Sequence, residues 1–246
     1  MLDVHGCQWV VLAVGALVIG LSKTGLPGVG MLAILLVATV IPAKQSTGLI
    51  LPMLIVGDIL GVAYYHHHAS WKHLFRLAPW TMAGIVLGWM ALGRLDDAHI
   101  RPLIGIIVLA MLALSIWRSL KPAFLEALPE SRRFAAVVGL MAGFTTMVAN
   151  AAGPVMVIYL LMMRLPKNVF LGTSAWFFLL FNVFKVPFSA HLGLITSASL
   201  EFNAMLAPFI LVGGWLGIRF AKRIPEKAFA WLVQILAAAG AINLLF

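Results

Sequence analysis

Charged residues are scarce in this chain. Only 10% of its 246 residues are Asp, Glu, Lys or Arg, whereas 63% are hydrophobic and the mean hydropathy is +1.05. An ordinary soluble domain is about a quarter charged, so too few polar side chains exist here to cover a surface that faces water. This composition excludes a soluble globule and predicts that lipid surrounds most of the chain.

Cysteine is almost absent as well, since Cys7 is the only one. No intrachain disulfide, CxxC redox pair or cysteine-based zinc cluster can therefore form. A P-loop, a Rossmann glycine fingerprint, an HExxH pair and a GxSxG elbow are also missing, so the sequence predicts no cofactor and no nucleotide-driven motor. No basic segment precedes the first apolar run, and we expect no cleaved signal peptide.

Long apolar runs dominate what is present, and they lack the strict alternation of barrel strands. A helix needs about 17 to 25 apolar residues to cross a bilayer. Six runs meet this requirement: 44–64, 74–92, 100–117, 170–192, 202–220 and 229–246. The predicted fold class is therefore an all-α polytopic membrane protein.

Two further apolar regions are broken by glycine and proline. The region 9–41 is interrupted around Pro27, and the region 134–163 is interrupted at Pro154. Glycine and proline break helices, and at 1.5 Å per residue the two halves of the first region, each roughly 16 to 20 Å long, fall short of a hydrocarbon core of about 30 Å. The sequence therefore predicts a re-entrant helical hairpin in each region, with its tip inside the membrane.

The chain also repeats itself. An offset of 124 residues pairs Gly15 with Gly139, Pro42 with Pro166, Gly48 with Gly172 and Asp58 with Asn182, and an offset of 129 pairs Gly84 with Gly213 and Gly88 with Gly217. We predict two homologous halves, 1–120 and 134–246, joined by a connector at 121–133. A hairpin and three spans give each half an odd number of crossings, so the second half is expected to be inverted.

The distribution of basic residues favours this inverted arrangement. It places on one side of the membrane Lys72, Arg76, Arg118, Lys121, Arg132, Arg133, Arg164, Lys167, Arg219, Lys222, Arg223 and Lys227, and on the other only Lys44, Arg94 and Arg101. Parallel halves would divide these residues more evenly. The positive-inside rule then predicts a cytoplasmic connector and two periplasmic termini.

Polar residues at the two hairpin tips predict a site for a small anion. The amino end of a helix presents unpaired N–H groups and the positive end of the helix dipole, both of which favour an anion. The expected substrate-binding residues are Ser22, Lys23, Thr24, Gly25, Gly28, Gly30, Thr145, Thr146, Asn150 and Gly153. The alternative for Lys23 is a surface anchor on a tilted span, and for the second tip it is ordinary helix packing.

Asp58 is the only acid deep within a predicted span. A carboxylate there is costly unless it is protonated, paired or exposed to a water-filled path. With Asn182 at the matching position of the second half, it predicts a proton-coupling site, and a structural hydrogen bond or a salt bridge to Lys23 is the alternative. We add Lys185 to the coupling residues, although its long side chain can also extend to the membrane interface.

A histidine cluster is the last candidate. His66, His67 and His68 lie close to His73 in the sequence. Adjacent side chains point in different directions, and no nearby cysteine or repeated carboxylate completes a ligand set. We therefore predict a solvated loop and no metal site.

The broken segments resemble a known family. Each half opens with a glycine-containing break, at 20–30 and at 143–154, followed by Pro42 or Pro166 and a small-residue patch at 46–48 or 172–174. Over nearly the whole chain this pattern resembles the sulfite exporter TauE/SafE family. The resemblance implies a bacterial inner-membrane secondary transporter for sulfite, organosulfonates and related anions, often drawing on the proton gradient. The second tip departs from the first in lacking a lysine and closely spaced glycines.

Taken with the polar residues, the resemblance leads us to expect export of a small sulfur-containing anion by alternating access between inverted repeats, with proton coupling. The expected surroundings are the lipid of the inner membrane, with a homodimer as a further expectation. An anion channel is the alternative. An intramembrane enzyme is less favoured, because no nucleophile with a base is visible.

Overall fold

A computed structural model describes residues 6–27, 29–38, 40–41, 43–93 and 131–225, together with residues 228, 231, 232 and 235. The regular elements of this part of the chain are helices, which confirms the predicted all-α polytopic class. In chain order they are α1 (Gly6–Thr24), α2 (Gly30–Ala38), α3 (Ala43–Tyr65), a 3-10 turn (His66–His68), α4 (Trp71–Leu92), α5 (Arg132–Ala149), α6 (Ala152–Met162), α7 (Lys167–His191) and α8 (Ser197–Arg223).

Six of the described helices, α1, α3, α4, α5, α7 and α8, are long and apolar enough to cross a membrane. Helices α3, α4, α7 and α8 confirm the spans predicted at 44–64, 74–92, 170–192 and 202–220. The span predicted at 100–117 lies outside the described residues, as do nearly all of the span 229–246 and most of the connector 121–133. Large apolar side chains such as Phe75, Met205 and Trp215 are more than half exposed, as a lipid-facing surface requires.

Both broken regions consist of a long helix followed by a short one. Helices α1 and α5 have 19 and 18 residues, whereas α2 and α6 have 9 and 11. The expectation that both halves of the first region are only roughly 16 to 20 Å long is wrong for α1, whose 19 residues reach about 28 Å at 1.5 Å per residue and are long enough to cross a membrane. The difference arises because α1 begins at Gly6 and continues through Ser22 and Lys23.

The first broken region folds back on itself. Gly15 of α1 lies against Val37 of α2, and Ser22, which is closer to the turn, lies against Gly30. Helices α1 and α2 therefore form an antiparallel hairpin, and the position of its tip inside the membrane stays a prediction. In the second region Asn150 follows the last residue of α5, and its left-handed backbone conformation (φ 54°) redirects the chain into α6; α5 and α6 also contact each other.

The long helices of one half pack against helices of the other. Helix α8 runs parallel along α1, and α4 runs parallel along α5, whereas α3 and α7 are antiparallel. Glycines allow these close approaches: successive pairs along the α1–α8 contact are Leu17 with Gly213 and Leu21 with Gly217, and along the α4–α5 contact they are Leu77 with Gly139 and Thr81 with Gly143. Asp58 and Asn182 meet at the middle of the α3–α7 pair.

Most of the described basic residues gather at one end of this bundle, which we call the basic end. Its helix termini are joined by direct contacts, since Lys167 Nζ donates to the carbonyls of Ala221 and Ile224, and His73 contacts the Tyr159 hydroxyl. The termini gathered there carry Lys72, Arg76, Arg132, Arg133, Arg164, Lys167, Arg219, Lys222 and Arg223. The N-terminus of α1 and Lys44 lie at the opposite end.

Candidate anion site between the hairpins

A small cavity lies where the two hairpins meet in the interior of the bundle. Its volume is about 50 Å³, and because about 10 to 15 Å³ suffices for one water, it has room for a few waters or a small ion. The lining comes from both hairpins and from the two central helices α3 and α7: Ser22, Lys23, Pro27, Gly30, Ile34, Leu54, Asn150, Gly153, Pro154, Ser174 and Phe178.

The first turns of both short helices border the cavity. Gly30 begins α2, and Gly153 and Pro154 lie in the first turn of α6. No side-chain hydrogen bond caps the amino end of α6 at Ala151. Since the amino end of a helix carries unpaired N–H groups and partial positive charge, this geometry favours an anion in the cavity.

Lys23 brings a full positive charge to the cavity wall. Its Nζ lies 2.8 Å from Asp58 Oδ1 and 3.9 Å from the centre of the Phe178 ring. Its side chain is only 10% exposed. This placement contradicts the alternative of a surface anchor and sets the ammonium between a carboxylate and the cavity.

Asp58 lies behind Lys23 and is fully buried. Its Oδ2 accepts a hydrogen bond from Asn182 Nδ2 at 2.6 Å, while its Oδ1 faces Lys23. Asn182 Oδ1 is buried and has no hydrogen-bond donor among the described residues. The two residues paired by the sequence repeat therefore contact each other directly, and the salt bridge to Lys23 raised as an alternative is present.

Lys185 is also buried, with 1% of its surface exposed, and does not extend to the interface. Its Nζ donates to Asn150 Oδ1 at 2.5 Å, to the Thr146 carbonyl at 2.9 Å and to Thr146 Oγ1 at 3.2 Å. Asn150 in turn donates through Nδ2 to the Thr47 carbonyl at 3.0 Å. Lys185 thus ties α7 to the tip of the second hairpin through neutral oxygens.

Of the predicted substrate-binding residues, Ser22, Lys23, Gly30, Asn150 and Gly153 line the cavity. Others hold helices together instead: the Thr24 hydroxyl donates to the Gly214 carbonyl at 2.7 Å, Gly25 lies against Gly217, and Thr145 donates back to Met141 within α5. Thr146 contacts Lys185 rather than the cavity. Gly28 lies outside the described residues.

Sequence reasoning missed the contributions of α3 and α7 to the lining. Leu54, Ser174 and Phe178 belong to apolar or weakly polar runs without a distinctive motif. The sequence repeat could have identified part of this lining. The offset of 124 pairs Leu54 with Phe178 and Gly30 with Pro154, and all four residues line the cavity. Leu54 and Phe178 also lie one turn before Asp58 and Asn182.

The histidines take no part in this site. His66, His67 and His68 form an exposed 3-10 turn, and the His66 ring contacts its own chain at the Ala63 carbonyl. In the part of the chain that the structure describes, no group of His, Cys, Asp or Glu is arranged to hold a metal ion.

Comparison with known proteins identifies the family. Residues 12–244 match the family described as sulfite exporter TauE/SafE. The chain belongs to this family. Neither a curated protein nor a solved structure gave a match. TauE/SafE proteins are membrane transporters rather than enzymes, which confirms that expectation, and the family implies a small anion as substrate and a lipid bilayer as surroundings.

Proposed function

We propose that this TauE/SafE protein is a secondary transporter that exports sulfite or an organosulfonate by alternating access, with proton coupling at Asp58. The observation that carries the proposal is the cavity between the hairpins. It is bordered by a lysine and two helix amino ends, and none of the described residues that line it is acidic. These are the features that bind an oxyanion in an apolar interior.

The charges behind the cavity support the same assignment. Lys23 pairs with Asp58, and Lys185, whose Nζ is held by neutral oxygens, also interacts electrostatically with this carboxylate, so the formal charge of this group of three is +1 when all are ionised. A small anion in the cavity would neutralise the excess. In a low-dielectric interior this interaction is much stronger than it would be in water.

We further propose that residues 1–120 and 134–246 form inverted repeats around the cavity. Helices α3 and α7, which the offset of 124 makes equivalent, run antiparallel, and Asp58 touches Asn182 where they cross. The reciprocal contacts of α1 with α8 and of α5 with α4 fit the same symmetry. Rocking of one half against the other would expose the cavity to each side in turn.

We assign the protein to the bacterial inner membrane, with both termini in the periplasm. The basic end supports this orientation, because cytoplasmic ends of membrane helices carry the excess of Lys and Arg. A homodimer stays a prediction, and the mass of the purified protein in detergent, corrected for bound detergent, tests it.

Flux in reconstituted vesicles tests the transport function. Vesicles preloaded with unlabelled sulfite should transiently concentrate labelled sulfite by counterflow, which a carrier performs and a channel does not. Lys23→Gln should reduce this accumulation severalfold, whereas the matched exposed variant Lys222→Gln should not. Passive dissipation without counterflow would support an anion channel, and chemical conversion of the anion would support an enzyme.

A further inference from the structure

We propose that the proton on Asp58 and the anion in the cavity bind together rather than in exchange, because both compete for the same ion pair with Lys23. This inference rests on the proposed function of the cavity. It specifies that a proton on Asp58 strengthens anion binding rather than weakening it. It also favours a doubly charged anion as the ligand of the protonated site.

Lys23 can pair with either of two counterions, the Asp58 carboxylate or an anion in the cavity. Its ammonium contacts Asp58 Oδ1 at 2.8 Å and also forms part of the cavity wall. While Asp58 is ionised, the lysine charge is already neutralised and attracts an entering anion only weakly. Once Asp58 takes up a proton, Lys23 is a buried cation without a counterion, a costly state that an anion in the cavity relieves.

Asn182 can accommodate Asp58 in both protonation states. Its Nδ2 now donates to the Asp58 carboxylate, while its Oδ1 is buried without a donor among the described residues. If Asp58 is protonated, a half-turn of the Asn182 amide presents Oδ1 to the new hydroxyl. The protonated acid therefore gains a hydrogen-bond acceptor at the same place, and no buried hydroxyl is left unpaired.

The other charged groups act in the same direction. On the helices packed against α3, the described charged side chains that act on Asp58 are Lys23 of α1 and Lys185 of α7. With Asp58 ionised, the formal charge of the three groups is +1, and with Asp58 protonated it becomes +2. The protonated site therefore matches a dianion, whereas the ionised site matches a monoanion at most.

Thermodynamic linkage makes the coupling reciprocal. If a proton on Asp58 strengthens anion binding, then the anion strengthens proton binding by the same factor. Where the linkage is complete, the anion affinity should rise by about tenfold for each unit that the pH falls. The proton and the anion then leave the cell together, and because one proton and a dianion carry a net charge of −1, the inside-negative membrane potential favours their export although the proton gradient opposes it.

Proton counting during anion binding tests the inference. Sulfite, methanesulfonate and sulfate are titrated into purified protein in detergent, in buffers of different ionisation enthalpy, and the heat gives the affinity and the protons exchanged. The wild type is compared with Asp58→Asn and with the exposed control Glu201→Gln. Subtracting the Asp58→Asn result cancels the protons that sulfite itself exchanges.

We expect net proton uptake in the wild type and in Glu201→Gln, and none attributable to the protein in Asp58→Asn. That variant should bind the anion at least as tightly as the wild type, with little dependence on pH. Proton release, no proton exchange in the wild type, or unchanged uptake in Asp58→Asn would overturn the inference while leaving the anion site intact. Failure of every anion to bind the wild type would overturn the proposed function as well.

An infrared measurement removes the dependence on a well-folded variant. Adding the anion to the wild type should produce the carbonyl stretch of a protonated carboxylic acid in the difference spectrum, with the shift in deuterium oxide that identifies it. Loss of such a band on anion addition would show that anion and proton exchange, and it would overturn the inference.

Discussion

At the scale of single residues, the ion pair of Lys23 and Asp58 affects both the stability of the protein and its affinity for an anion. A buried pair contributes little net stability, yet removing one partner strands the other charge and costs about 3 to 5 kcal/mol. Any variant of Lys23 therefore changes stability as well as anion binding. The two effects have to be measured together.

We expect Lys23→Gln and Asp58→Asn to lower the thermal stability of the protein in detergent, and the double variant Lys23→Gln/Asp58→Asn to recover most of the loss. The recovery follows because two amides at these positions can hydrogen bond without a buried charge. Melting curves without added anion measure it as a double-mutant cycle. Additive losses would contradict a direct pairing of the two side chains.

Anion affinity should separate the same variants differently. The double variant regains stability but lacks the lysine charge, and a charge-assisted contact contributes about 1.5 to 3 kcal/mol against roughly 1 for a neutral hydrogen bond. Its anion affinity should therefore stay at least several-fold below that of the wild type. Wild-type affinity in the double variant would move the anion site away from Lys23.

Lys185 gives a second prediction at this scale. In Lys185→Met the Asn150 side-chain oxygen loses its buried donor, at about 1 to 3 kcal/mol, whereas the Thr146 carbonyl keeps the hydrogen bond from the Asn150 backbone N–H. The variant should melt earlier than wild type, and the tip of the second hairpin should exchange its amide hydrogens faster. Lys222→Met, at an exposed position of α8, is the control. Unchanged protection at 146–150 would contradict a positioning role for Lys185.

At the scale of elements, the parallel contacts of α1 with α8 and of α4 with α5 depend on glycine. A Cβ at Gly213 would overlap the Leu17 carbonyl, and a Cβ at Gly84 would overlap the Leu140 carbonyl. These two glycines are equivalent under the offset of 129. The two halves therefore have glycine at equivalent positions of these helix–helix contacts.

Gly213→Ala and Gly84→Ala should both destabilise the protein, because the methyl group forces the helices apart and overpacking typically costs about 1 to 3 kcal/mol. Gly6→Ala is the control, since among the described residues no atom outside its chain neighbours and the adjacent turn of its own helix lies within 4 Å of the added Cβ. Melting temperatures in detergent check the comparison. A neutral effect at one position and a large effect at the other would argue against equivalent packing.

The sequence predicts the positions of the helices along the chain better than it predicts the contacts between their side chains. Apolar run length locates α3, α4, α7 and α8, and glycine with proline locates both breaks, because these features act locally. The length of α1 escapes such reasoning, because the helix continues through Ser22 and Lys23 to Thr24, whose hydroxyl donates to the Gly20 carbonyl of the same helix. The lining by Phe178 and the bonds of Lys185 depend on tertiary packing that no local pattern contains.

At the scale of the whole molecule, the surrounding lipid explains both why charged side chains are buried and why large apolar side chains are exposed. Lipid allows Phe75 and Met205 to face outward, while Lys23, Asp58 and Lys185 find partners only in the interior. Among the described residues, the charges outside the interior lie toward the ends of the bundle. Their uneven distribution between the two ends is the basis of the orientation that we propose.

This orientation gives the last prediction, which uses the chain's single cysteine. Cys7 is exposed near the start of α1, at the end of the bundle opposite the basic end. An impermeant maleimide added to spheroplasts, in which the outer membrane is opened, should label Cys7, because the positive-inside rule places the basic end in the cytoplasm. In the variant Cys7→Ser/Arg132→Cys, the new cysteine at the start of α5 should react only after the inner membrane is permeabilised. Labelling of both cysteines from the same side would contradict the separation of the two ends, and the reverse pattern would invert the assigned orientation.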